Sequence, residues 1–310
     1  MNKLFKLIKL ICFNMGLKDS PNELKNHKGE VPLIGGLLFL IIILASSLII
    51  SFNNYSNIYL LIIFTIIGIW DDIKNLNPNI KFLLTLISLI FIITFDKNLQ
   101  INLLNFEYID NIYFPNNKFL NIFIPTICLM LLLNSFNMID GINGLAGTIF
   151  LSWSFYLIYN NSILINILSP FIFGIIIFLY FNFKNKAFLG DGGNYLLSMI
   201  IGTIIIKQNN INSSILLAEE IFLLLMIPGI DMLRLFIQRL CKKKNPFKGD
   251  RNHLHHYLIR KFQLKNSIII YISLINIPLY VYVFFNISLI LLILLNLLIY
   301  FFLIKISVLK

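Results

Sequence analysis

The chain runs to 310 residues, 58% of them hydrophobic and 13% charged, with a mean hydropathy of +0.84 and a formal net charge of +11. Soluble domains carry about 25% charged residues, so this composition excludes a soluble globular protein and predicts an all-α, polytopic membrane bundle. The basic excess predicts no nucleic-acid partner, because its placement tracks membrane topology instead.

In chain order, residues 1–17 place Lys3, Lys6 and Lys9 at every third position among Leu and Ile. No small-residue cleavage site follows, so the segment reads as an interfacial amphipathic helix rather than a signal peptide or a span. Near-continuous apolar runs occupy 33–51, 58–70, 82–95, 119–133, 163–183, 195–206, 215–230, 268–285 and 287–304, and 145–159 is interrupted only by Ser, Thr and Gly. A helix needs about 20 apolar residues to cross a bilayer, counting small flanking residues. These segments therefore predict about ten transmembrane helices in one membrane domain covering 1–310. Residues 96–118 are polar and turn-rich, with a β-prone stretch at 111–114, and predict a small external loop or hairpin. The run from Ser267 onward, broken at Asn286, reads as membrane filler with no part in the mechanism. Cys12, Cys128 and Cys241 are scattered and spell neither a disulfide framework nor a zinc site.

With residues 1–32 inside and the spans alternating, every Lys and Arg except Lys97, Lys118 and Lys207 falls on the inner side. All four His fall there too. This is the positive-inside bias, with added attraction to anionic lipid. It predicts a multi-pass protein of the inner (plasma) membrane, and makes 231–266 a cytoplasmic substrate-recognition loop.

Four polar motifs stand where apolar runs end, all on that inner side. Carboxylates near hydrocarbon cost roughly 2.5–3.5 kcal/mol each by insertion scales, so a chain that keeps several has a use for them. Asp71 and Asp72 close the run ending at Trp70. Acids at a helix C-terminus oppose the macrodipole, so either they are solvated helix-end groups or they face a cation. Being adjacent, they cannot share one helical face, which predicts different tasks. Asn134, Asn137 and Asp140 recur every three residues, a polar stripe on one helix, and Gly141 and Gly144 then break that helix. Interhelical hydrogen bonding is the alternative use of such a stripe. Gly190-Asp191-Gly192-Gly193 precedes the run at Tyr195, either as a helix cap or as a site for a cation bridging to phosphate. Finally, His253, His255 and His256 sit with Lys248 and Arg251 in a basic stretch. In a helix His253 and His256 would share a face. The set suits phosphoryl oxygens better than zinc, and a plain juxtamembrane basic loop is the other reading.

Taken in order, these motifs resemble the polyprenyl-phosphate N-acetylhexosamine-1-phosphate transferase superfamily. Within it, the chain is most similar to the bacterial undecaprenyl-phosphate GlcNAc-1-phosphate transferases and less so to the phospho-MurNAc-pentapeptide transferases. The likeness extends from Asp19 to about Leu258 and includes DSPNELKNHKGEVPLIGG, the Asp71-Asp72 pair, 137–144, 188–193, and PGIDMLRLFIQRL leading into NPFKGDRNHLHH. It implies that a membrane prenyl phosphate attacks the β-phosphate of a UDP-N-acetylhexosamine, with Mg²⁺ required. The products would be prenyl-pyrophosphoryl-sugar and UMP, the start of a lipid-linked cell-surface glycan. Carried over residue by residue, the resemblance makes Asp191 a metal ligand, with Asn137 and Asp140 helping to hold metal or nucleotide. Asp71 and Asp72 become candidates to orient or deprotonate the prenyl phosphate, an aspartyl nucleophile being the other scheme for such enzymes. Lys25 and His27 would face substrate phosphates, Phe188 would stack on uracil, and Asn182 and Asn143 would contact the nucleotide. Arg251, His253, His255 and His256 would recognise the sugar phosphate, with His253 counted among the catalytic groups. A homodimer is a further expectation.

The chain departs from that pattern in three places. Leu24 stands where relatives carry Arg, Asn143 where many carry Asp, and 1–17 where relatives have a full span. Leu24 and Asn143 keep in play a catalytically impaired relative that only binds polyprenyl phosphate. A lipid-carrier transporter is disfavoured, since transporters set their polar groups at the bilayer midplane, often with internal repeats. Because the basic residues segregate so strongly, a membrane-impermeant thiol reagent should leave cysteines in 231–266 unlabelled in intact cells and label them once the membrane is breached. Ready labelling from outside would invert the topology.

Overall fold

The structure is a computed structural model, and it describes residues 2–21, 29–47, 58–114, 117–211, 216–246 and 250–308. It is an all-α membrane bundle. A helix buried on all sides occupies its centre: α8 (Gly190–Ile211), whose residues are buried without a break from Gly192 to Asn209. A helix surrounded by protein need not be apolar all round, which explains why α8 carries Asn194, Ser198, Thr203 and Gln208. Packed against it are α2 (Gly35–Ser47), α3 (Ile58–Lys74) and α5 (Lys118–Ile139). The chain continues as α6 (Leu145–Asn160), α7 (Ile165–Asn182) and α9 (Ala218–Cys241). Lipid-facing rims are formed by α4 (Pro78–Phe95), α11 (Leu264–Phe285) and α12 (Leu289–Val308), which bury far less of their surface than α5. Exposed Phe91, Phe95, Leu298 and Phe302 on α4 and α12 are what lipid contact requires.

The ten helices α2–α9, α11 and α12 correspond to the ten expected spans. By length and apolarity alone, the segments Pro78–Phe95, Lys118–Ile139, Ser162–Asn182, Leu264–Phe285 and Leu289–Ser307 qualify. The others are shorter or, like α8 and α9, diluted by polar residues that face protein. The N-terminal α1 (Asn2–Asn14) is 13 residues long, about 20 Å at 1.5 Å per residue, well short of a hydrocarbon core of about 30 Å. It lies against the end of α7, with Phe5 stacked on Phe181 at 3.9 Å and Cys12 fully buried, while Leu7, Leu10 and Ile11 are exposed.

Two small antiparallel pairs close the ends of the bundle. Residues 96–118 contain the expected hairpin, β3 (Leu103–Leu104) on β4 (Ile112–Tyr113). At the opposite end, β1 (Lys18–Asp19) pairs with β2 (Val31–Pro32), and Leu33 continues in a parallel bridge to Phe188. That second pair was not foreseen.

The expected loop 231–266 is mostly helix. The last eleven residues of α9 fall inside it, and α10 (Leu254–Lys261) forms before α11 begins at Leu264. The cause is local: Asp231 and Arg234 pair across one turn at 2.8 Å, and Arg239 holds Asp250 at 3.0 Å, so α9 stays ordered past its apolar run.

Glycines let α3 approach α8 closely. A Cβ on Gly68 would lie 2.6 Å from the Asp191 carbonyl and from Gly192 Cα. Gly68→Ala should therefore force the two helices apart and destabilise the protein by about 1–3 kcal/mol. Thermal unfolding in detergent would register this as a lowered midpoint, and an unchanged midpoint would mean the contact is not close.

Candidate active site

The acids that close α3 find compensation on other segments. Asp72 Oδ1 accepts the backbone N–H of Asp191 at 2.8 Å, and Oδ2 accepts that of Gly192 at 3.1 Å. These first-turn N–H groups have no partner within their own helix, so Asp72 caps α8 from outside. Gly190, at φ +72°, sits over the carboxylate, where a Cβ would come within 2.7 Å of Oδ2. With its cap supplied from α3, α8 begins at Gly190, five residues ahead of the apolar run, and Asp191 lies in its first turn. Asp71 accepts the Leu76 N–H at 2.7 Å and the Lys81 ammonium at 2.6 Å. Lys81, the one charged residue of α4, also pairs with Asp191.

The second motif meets the same helix from the other side. Asp140 caps the C-terminus of α5, and Gly144, at φ +86°, opens α6. Buried Asn194, one turn into α8, donates to Asn137 Oδ1 at 3.1 Å and to Asp140 Oδ2 at 3.0 Å. Burial pushes the Asp140 carboxyl up to about 7, against the Asn194 hydrogen bond and with help from the charges of Asp191 and Asp19. Asn182 accepts the Gly144 N–H at 2.6 Å and donates to the Ala187 carbonyl at 2.8 Å, which ties two loops together. Asn143 donates to Asn185 at 2.5 Å.

The histidines flank this junction. His253 is not in a helix with His256; it is the N-cap residue of α10, with extended backbone, and stacks on His255 at 5.5 Å. His255 is buried, neither ring nitrogen has a hydrogen-bond partner among the described residues, and its ring lies 4.2 Å from that of His256. Gly141 makes room for both: a Cβ there would meet His255 Nε2 and His256 Nε2 within 3.0 Å. Burial holds His256 down to about 4, with the charges of His253, Arg251 and Arg260 adding to the effect.

All four motifs open onto one cavity of about 1020 Å³, walled by Asp71, Asp72, Asp140, Asn143, Phe188, Asp191, Arg251 and His256. Every wall residue comes from a segment at the same end of the bundle, the end opposite the 96–118 hairpin. Among the described residues, no three His, Cys, Asp or Glu side chains converge as a metal cage. Asp140 and Asp191 both border the cavity and sense each other's charge. Magnesium takes one or two carboxylates and completes its shell with water and phosphate oxygens, so this donor set fits Mg²⁺ held together with a phosphate-bearing molecule.

The sequence profile of glycosyl transferase family 4 matches residues 54–209, just over half of the chain. The chain belongs to glycosyl transferase family 4. It is similar to the undecaprenyl-phosphate alpha-N-acetylglucosaminyl 1-phosphate transferase of Escherichia coli (strain K12), at 26% identity over 267 residues, 81% of this chain and 71% of that protein. The proteins of the same name from Thermotoga maritima and Yersinia pestis are 27% and 26% identical, over 82% and 81% of this chain and 77% and 71% of theirs.

In this family 4 transferase the cavity gathers Asp71, Asp72, Asp140, Asn143, Phe188, Asp191, Arg251 and His256 from the sequence-predicted set, while Asn137, Asn182, His253 and His255 stand behind its wall. Lys25 and His27 lie outside the described residues. Sequence reasoning overlooked Lys81, Asn194 and Asp231. Lys81 carried a signal, since a lone Lys in an otherwise uncharged span requires an acidic partner. The C-terminal run is not inert filler either: Tyr300 of α12 donates to Asp231 at 2.7 Å, and Asp231 accepts from His253 at 2.9 Å.

The low values at His255 and His256 fix a pH dependence. The unfolded chain takes up protons on these rings near pH 6.5, the folded protein only at much lower pH, so stability falls as pH drops from about 6.5 towards 4. Thermal midpoints in detergent should decline over that window, and His256→Asn should flatten the slope. A slope unaltered in the variant would show that His256 is not held neutral.

Proposed function

We propose that this chain transfers N-acetylhexosamine 1-phosphate, in the first instance GlcNAc 1-phosphate, from a UDP-sugar to undecaprenyl phosphate. The observation that carries this reading is the convergence of Asp71, Asp140, Asp191, Arg251 and His256 on one cavity at one end of a membrane bundle. The names of its relatives support undecaprenyl phosphate as the acceptor and N-acetylglucosaminyl 1-phosphate as the group transferred. In the reaction, an oxygen of the prenyl phosphate bonds to the β-phosphorus of the UDP-sugar. The bond from that phosphorus to the bridging oxygen breaks, and UMP leaves with the bridging oxygen. The acceptor's second pKa is near 6, so it arrives largely dianionic and requires no strong base.

The chain's own residues then divide the work. Asp191 and Asp140 would hold Mg²⁺, with Asn137 supporting them from behind the wall through Asn194; bound there, the metal would neutralise charge on the pyrophosphate and on departing UMP. Lys81 places a cation beside Asp71, where an incoming phosphate needs one. Asp72, with both oxygens engaged by α8, keeps Asp191 in register. Phe188 offers an aromatic face to the base, and Arg251 and His256 offer donors to the sugar phosphate. By the positive-inside rule, the cavity faces the cytoplasm of the plasma membrane, where nucleotide sugars are made.

UMP release from UDP-GlcNAc that requires both undecaprenyl phosphate and Mg²⁺ is the direct test. Asp191→Asn removes the charge and keeps the shape, so the protein should still fold while turnover falls about 10²-fold or more. Near-normal, Mg²⁺-dependent release by that variant would end the metal role of Asp191 and leave it as the partner of Lys81.

A further inference from the structure

Asp231 of α9 is 1% exposed and lies off the cavity wall, yet it is the most heavily engaged carboxylate among the described residues. It accepts from His253 Nδ1 at 2.9 Å, from the Leu254 N–H at 3.1 Å on both oxygens, from the Tyr300 hydroxyl at 2.7 Å and from Arg234 Nη2 at 2.8 Å. Arg234 also donates Nε to the Tyr300 oxygen at 2.8 Å and Nη2 to the Asn252 carbonyl at 2.7 Å. Helices α9 and α12 and the approach to α10 thus meet at one buried anion.

Two consequences follow for the histidines. A carboxylate only accepts, so His253 must present Nδ1–H to it, and an uncharged ring then carries its single proton there. Moreover, the His253 side chain does not cap α10. Asp231 satisfies the orphan N–H of Leu254 instead and sets its negative charge at the positive end of that helix. The same carboxylate therefore decides where α10 starts, and with it the stack of His253, His255 and His256.

We propose that Asp231 is a positioning residue for the transfer reaction. It fixes His253 as the Nδ1–H tautomer and holds the ring on which His255 stacks, so that the neighbouring His256 is set at the cavity wall to meet the donor sugar, and Tyr300 of the last helix completes the anchorage. This rests on the reading that the histidine motif meets the UDP-sugar. The arrangement parallels the buried Asp that orients the catalytic His of serine proteases, where an Asn substitute selects the wrong tautomer.

The test uses the full chain in lipid nanodiscs, with UDP-GlcNAc and undecaprenyl phosphate as substrates and imidazole ¹⁵N spectra as a second readout. Asp231→Asn should lower kcat/KM at least about tenfold and move the His253 proton to Nε2. Added to His253→Ala, it should cost little more, because the two act through one ring. Tyr300→Phe, remote from the cavity, should give a smaller loss that also vanishes in the His253→Ala background, and it keeps the test open if Asp231→Asn fails to fold. Full multiplicative losses on His253→Ala, or an unmoved tautomer, would reduce Asp231 to a helix anchor. Normal turnover by His253→Ala would overturn the role of His253 and this proposal with it. A wild-type chain inactive on UDP-GlcNAc would instead sink the functional reading, while the spectrum still decides the tautomer.

Discussion

The site depends on one interaction: the Asp72 carboxylate of α3 against the N-terminus of α8. At the end of its own helix, Asp72 stands against an unfavourable dipole. Turned onto the first-turn N–H groups of α8, it meets the favourable end of another dipole and satisfies donors that would otherwise be orphaned. That exchange requires the helices to approach closely, which Gly68 permits and any larger residue would prevent. With α8 held there, Asp191 reaches Lys81 and Asn194 reaches Asn137 and Asp140. Three segments far apart in sequence thus take their places around the first turn of one central helix.

The two ends of the bundle use polar residues differently. At the hairpin end, Tyr59 donates to Asp96, Asn161 to Gln208, and Asn210 to the carbonyls of Asn98 and Gln100. These contacts tie loops to helix ends. At the opposite end, the engaged groups and the available ones are sorted by depth. Asn182, Asp72 and Asp231 spend their acceptors on backbone and buried side chains, whereas Asp140 meets one donor and Arg251 and His256 line open space. A residue type alone does not separate these two populations. Asn182, like Asn143, was expected to contact the nucleotide, and only packing shows that its amide is committed to two loops.

Much of the fold was legible because lipid imposes a simple rule on it. Apolar length marks a span, a break at Asn286 marks a turn, and basic residues mark a side. The limits have equally plain causes. The cap of α8 was not legible, because it comes from Asp72, outside the segment, where the sequence offered Asp191 itself as the cap. The stretch 231–241 read as loop because its helix is sustained by charge pairs rather than by apolar periodicity. His253 and His256 would have shared a face had both been helical, but the Asp231 carboxylate fixes the start of α10 one residue beyond His253, and that ring stacks on His255. The motif acids were legible for an energetic reason, since charge at a membrane boundary is costly to keep without a use. Their partner Asn194 was not, since a single Asn in a span carries no spacing to read, whereas Lys81 left one overlooked mark, a lone charge in an otherwise uncharged span.

The charges around the cavity also bear on why a cation belongs there. Its wall carries Asp19, Asp71, Asp72, Asp140, Asp191 and Asp250 against Lys18, Arg251 and Arg260, and His256 is neutral at pH 7. Asp250 is taken by Arg239, Asp71 and Asp191 share Lys81, and Asp72 is neutralised in effect by the α8 dipole. Asp140, raised by burial, has no cationic partner of its own among the described residues. Two phosphate-bearing substrates would add several negative charges to this wall in a partly desolvated space, where repulsion is poorly screened. Lys81 and Arg251 do not offset that sum. The proposed Mg²⁺ between Asp140, Asp191 and the pyrophosphate does, and it would also relieve the strain of keeping Asp140 ionised. On this account the acids hold the cation, the cation admits the anions, and the histidine motif is left to distinguish the sugar.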